Sequence, residues 1–108
     1  MFMSEHTLVE SDVHYLSFYL MEKDQITGSI SYYDLSNVTS LVFRMKKYGS
    51  STAALEATME VSNATLGYCR VLATIPSHGD YYTEIEVRES SQRLTWIGPV
   101  FHVVREIG

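Results

Sequence analysis

Apolar and polar residues alternate with a period of two along most of this chain, broken by short clusters of turn-forming residues, while the three-to-four spacing of helices is scarce. Successive side chains of an extended strand point to opposite sides, so the pattern predicts half-buried β-strands. From Val13 to Glu22, Leu16, Phe18 and Leu20 fall on one side, with Tyr15, Ser17, Tyr19 and Met21 on the other. From Val38 to Lys47, Leu41, Phe43 and Met45 oppose Val42, Arg44 and Lys46. The sharpest alternation sets Leu55, Ala57, Met59 and Val61 against Glu56, Thr58 and Glu60. Cys69, Val71, Ala73 and Ile75 then oppose Tyr68, Arg70, Leu72 and Thr74 until Pro76, which has no N–H for a ladder. Thr83, Ile85 and Val87 face away from Glu84, Glu86 and Arg88, and a last strand carries Trp96, Phe101 and Val103 with a bulge predicted at Gly98-Pro99. With a short strand at His6 to Glu10, the expectation is an all-β, immunoglobulin-like antiparallel β-sandwich of about seven strands. It forms a single domain over residues 1–108, with residues 1–7 as an N-terminal arm.

The stretch HGDYYTEIEV, residues 78–87, specifies this class further. In immunoglobulin-like sandwiches a late strand often starts with a tyrosine whose hydroxyl bonds to backbone a few residues upstream. Gly79 can supply the permissive turn, Tyr81 the hydroxyl and Thr83 the inward position that antibodies give to a cysteine. Phe43 takes the core slot that antibodies give to tryptophan.

Composition narrows the class of function. The 108 residues suffice for one domain that buries roughly two-thirds of its unfolded surface. No run approaches the ~18 apolar residues of a membrane span, so no membrane role is expected. Eight Lys and Arg against 13 Asp and Glu give a net charge of −5, which argues against nucleic acid as a partner. The start, MFMSEHTLVE, lacks both the basic region and the apolar core of a signal peptide, predicting synthesis in a cytosol. A lone cysteine, Cys69, rules out an intrachain disulfide and a Cys-rich zinc site.

Candidate chemistry is sparse. His6, His14, His78 and His102 are scattered without metal-ligand spacing, although His78 could pair with Asp80 at its turn. Cys69 shares a side with Val71, Ala73 and Ile75, the position of a core thiol and not of a nucleophile. Glu84 and Glu86 share a sheet face but lie opposite Arg44 and Lys46, so cross-strand charge pairing of exposed groups accounts for them. The chain is therefore expected to be no enzyme and to need no cofactor and no metal.

The succession LSFYL, YDLSNVTSLVFRMKK, ATLGYCRVLATI, GDYYTEIEV and GPVFHVV resembles the immunoglobulin-like N-terminal domain of phage upper baseplate proteins. The carrying positions are Leu16, Phe18, Leu20, Asp34, Leu35, Ser36, Leu41, Phe43, Met45, Gly79, Tyr81, Phe101 and Val103. The resemblance implies a phage virion structural protein, made in the cytoplasm of a host bacterium, whose partners are other tail, baseplate or capsid subunits or further copies of itself. Family members continue into coiled-coil or receptor-binding segments that this sequence lacks. The implied role is thus an adaptor or docking subunit of the tail tip or baseplate, with a capsid decoration protein as the alternative.

The immunoglobulin strand order would pair Val13–Glu22 with Leu66–Ile75 and gather Tyr15, Tyr19, Met21, Tyr68, Arg70 and Leu72 on one outer face. An exposed aromatic patch with an arginine is the composition of a partner-binding surface. The competing expectations are that the N-terminal arm covers Tyr15 and Tyr19, or that the tyrosines of a small carbohydrate-binding module line a sugar site. The sheet borders expected to accept an added strand are Gly28–Asn37 and Val100–Val104.

Overall fold

The computed structural model describes residues 5–107, with side chains from Thr7 onward. The strands are β1 (Glu5–Val9), β2 (Val13–Tyr19), β3 (Met21–Lys23), β4 (Ile30–Tyr32), β5 (Ser40–Lys47) and β6 (Ala53–Thr58). They continue with β7 (Glu60–Asn63), β8 (Tyr68–Thr74), β9 (Gly79–Glu89), β10 (Gln92–Ile97) and β11 (Val100–Val104). One sheet runs β1-β11-β9-β5-β6, with β10 also on β9; the second runs β2-β8-β7; β3 and β4 form a separate hairpin. With β2, β8 and β7 in one layer and β5 and β9 in the other, the arrangement is the predicted immunoglobulin-like all-β sandwich. Most pairs are antiparallel, but β1 runs parallel to β11, from Glu5 beside Val100 to Val9 beside Val104.

The core follows the alternation. Leu16, Leu20, Leu41, Phe43, Met45, Cys69, Val71, Ala73, Ile75, Ile85, Val87, Phe101 and Val103 are buried between the layers. Phe18 stacks on Phe43 with ring centroids 5.5 Å apart. Burial of each large side chain contributes roughly 1.5–3 kcal/mol, and no disulfide supplements it.

The predicted corner is present. Tyr81 is 1% exposed, and its hydroxyl donates to the Ser77 carbonyl at 2.6 Å. Gly79 has φ +143, a conformation other residues rarely adopt. Thr83 is buried, and its hydroxyl donates to the Pro99 carbonyl at 2.7 Å while Gly98 N–H donates to the Thr83 carbonyl at 3.0 Å. Those two bonds hold the Gly98-Pro99 break that separates β10 from β11 along the same side of β9.

Four expectations are corrected. Val13–Glu22 is not one strand. At Leu20 the chain leaves β8: its N–H donates to Gly67 O at 2.8 Å while its carbonyl accepts Tyr33 N–H at 2.9 Å. A Cβ on Gly67 would lie 2.4 Å from that Leu20 carbonyl, so only glycine permits the approach. Leu55–Val61 likewise divides, at Met59, whose N–H donates to Leu41 O at 2.8 Å before the chain crosses to the second sheet. Val61, expected inside, is 42% exposed. Glu5–Thr7 are no arm, because they pair with Val100–His102; residues 1–4 lie outside the described residues. Val100–Val104 is no border either, being flanked by β1 and β9.

Candidate docking surface

β2 and β8 pair as expected, and their register places Tyr15 beside Leu72, Ser17 beside Arg70 and Tyr19 beside Tyr68. Since the neighbours Leu16, Cys69 and Val71 are buried, these residues are turned outward. Tyr19 and Tyr68 stack with centroids 4.6 Å apart. The Arg70 guanidinium lies 4.1 Å from the centre of the Tyr15 ring, a cation–π contact, and its Nε donates to the Glu60 carboxylate on β7.

The β3–β4 hairpin extends this face. Met21 pairs with Tyr32, whose ring lies 6.0 Å from that of Tyr19. Asp24 builds the hairpin's turn, its carboxylate accepting Thr27 N–H at 3.1 Å and Ile26 N–H at 2.8 Å, and these bonds hold its pKa below the usual range. Tyr15 at 49%, Tyr19 at 54% and Leu72 at 55% exposure leave a contiguous apolar surface open to solvent. All six residues expected at the surface are thus brought together. The alternation alone did not reveal Tyr32, because β4 is exposed throughout and carries no inside/outside signal.

The outer face of the other sheet is built differently. Glu84 lies opposite Arg44 and Glu86 opposite Val42. Glu86 accepts from Arg88 Nε at 2.7 Å and Arg44 Nη1 at 3.0 Å, and Arg93 Nε forms an ion pair with it at 3.2 Å. Hydrogen bonds from Arg88 and then Arg44 push its pKa down to about 2. The expectation of wholly exposed pairs is corrected here: three arginine side chains cover Glu86 and leave it 5% exposed.

The remaining candidates resolve separately. Cys69 is buried in the core, and burial pushes its thiol up to about 11, so it stays protonated at neutral pH. His78 pairs not with Asp80 but with Glu10, at 3.2 Å, while Asp80 pairs with His102. His14 is half-buried on β2, and the His6 side chain lies outside the described ones. Asp34 accepts Ser36 N–H at 2.9 Å, which closes the turn that buries Leu35. No helix among the described residues is long and apolar enough to cross a membrane.

The fold and surface together define an immunoglobulin-like β-sandwich with one charge-paired face and one aromatic face. No protein-family model matches the chain, and no curated protein matches it.

Proposed function

We propose that this chain is a non-catalytic docking subunit of a phage virion, placed at the tail tip or baseplate and attached through the Tyr15, Tyr19, Met21, Tyr68, Arg70 and Leu72 face. The observation that carries the docking role is the half-exposed, contiguous aromatic surface on the β2–β8 pair. Exposed apolar patches of this kind are drawn out of water by a complementary protein surface, with tyrosine and arginine as the usual anchors. The motif resemblance to upper baseplate domains supplies the virion setting. Ring arrangement favours a protein partner over a sugar. Arg70 caps Tyr15, and Tyr19 and Tyr68 occupy one face of each other, so these rings are packed as anchors and not laid open as platforms.

The test is incorporation into particles. A chain carrying Tyr19→Ser and Tyr68→Ser should fold yet be missing from purified virions, where the unaltered chain appears at a fixed copy number. Incorporation of the double variant at the unaltered copy number would overturn the role of this face. Absence of the unaltered chain from purified particles would overturn the virion assignment.

A further inference from the structure

A β-sandwich can also bind through a sheet edge, and one edge here is open. β2 is the outer strand of β2-β8-β7, and among the described residues nothing pairs with its free side. In the immunoglobulin order the first strand lies beside it in the same sheet. Here β1 instead pairs with β11 in the other layer, which leaves that slot vacant among the described strands.

The ladder to β8 determines what faces the slot. Ile75 N–H donates to Asp12 O, and Leu20 N–H donates to Gly67 O, at the two ends of the β2 ladder. Two-residue alternation between those points assigns the even positions to β8 and turns the N–H and C=O groups of Val13, Tyr15, Ser17 and Tyr19 outward. Beside this edge lies a cleft of about 700 Å³ between β2 and the β10–β11 break, with Leu8, Leu16, Phe18, Ile97, Pro99 and Phe101 in its walls. Among the described residues no Asp, Glu, Lys or Arg lines it, in a chain whose net charge is −5.

Edges are ordinarily guarded by charge, proline, glycine or a bulge. The β2 sequence VHYLSFY has no Asp, Glu, Lys, Arg, Pro or Gly, and its register with β8 runs without a shift. The outer strands β6 and β7, by comparison, each carry a glutamate and a register shift.

We infer that the slot binds an extended polypeptide strand of a partner protein, which hydrogen-bonds to the outward backbone groups of β2 and turns uncharged apolar side chains into the cleft. The chemistry of the occupant follows from the wall. A charged side chain directed into it would be desolvated without a counter-charge, and only an extended backbone matches a row of alternating donors and acceptors. The site borders the tyrosine face, since Tyr15 and Tyr19 also line the cleft, but it does not depend on the virion setting.

The test is to pan a display library of short random peptides against the purified chain, then follow amide hydrogen exchange with a recovered peptide bound. Recovered peptides should carry uncharged apolar residues at alternate positions and should protect the Tyr15, Ser17 and Tyr19 amides. Ser17→Pro removes one outward N–H, leaves the β8 ladder whole and should weaken binding about tenfold or more. A Tyr68→Ser, Leu72→Ser double variant, altered on the tyrosine face at β8 positions outside the cleft lining, should still bind peptide, so failure of the docking face is distinguishable from failure of this site. Exchange measured on the unaltered chain keeps the test decisive should the proline variant not fold. Three results would each overturn the inference: no enriched peptide, binding without protection of the β2 amides, or those amides already protected in the dilute, isolated chain. A dimer that Ser17→Pro dissociates, with no peptide binding, would assign the slot to a second copy and overturn it equally.

Discussion

The two outer faces of the sandwich solve the same problem in opposite ways. On the β5–β9 face, Glu86 draws in Arg44, Arg88 and Arg93, and Lys46 reaches Glu84 at 3.5 Å, so the polar groups answer one another within the chain. On the β2–β8 face the tyrosine rings stack on one another or under Arg70, and Leu72 faces water. Alternation puts outward residues on both faces, but only the first is self-sufficient. Self-sufficiency contributes to the stability of the isolated domain, whereas the aromatic surface is the one the proposed association would cover.

That contrast can be broken by substitutions whose effects on stability fall in a definite order. Glu86→Gln should cost the most, about 2 kcal/mol at neutral pH, because hydrogen bonds to a charged acceptor are lost while three arginines remain crowded. A thermal midpoint within a degree or so of the unaltered chain would show that the network contributes little. The same residue gives a pH signature. Its pKa is depressed in the fold to about 2 from an ordinary 4.5, so its contribution is fully present above pH 4.5 and is lost as pH falls through about 2. Unfolding curves of the unaltered chain and Glu86→Gln should therefore converge between those two values.

A smaller stability change is expected for Tyr19→Ser with Tyr68→Ser. A stacked cross-strand pair on an exposed face contributes about 0.5–1.5 kcal/mol, so calorimetry should show a modest loss alongside complete loss of docking. Arg70→Gln should change stability least, since its bond to Glu60 lies in solvent. A large fall in midpoint for Arg70→Gln would erase the distinction between the faces.

Much of this was written in the alternation, and the exceptions have physical causes. A period of two reports that one side of a strand is buried but not which sheet buries it. The run through Leu55, Met59 and Val61 therefore looked continuous although the chain changes layers at Met59. Five of the six residues proposed for docking were legible because Leu16, Phe18, Cys69 and Val71 fix the opposite side of β2 and β8, whereas Met21 lies beyond the Leu20 break on β3. Tyr32 was not, since β3 and β4 bury neither side. The seclusion of Glu86 was hidden for a different reason: its cover comes from Arg88 on its own strand and from arginines on two others, a convergence that only folding creates. The open side of β2 depended on where β1 pairs, and no periodicity encodes a pairing partner.

The parallel pairing of β1 with β11 carries a mechanical consequence. Tension entering the chain at Glu5 and leaving at Val104 would drag the two strands past each other, since each is pulled from the end at which its partner is not. Their ladder would then be loaded in shear, all its bonds resisting together, and not peeled apart rung by rung. A module spliced into a pulled assembly in this orientation holds until the whole seam yields at once.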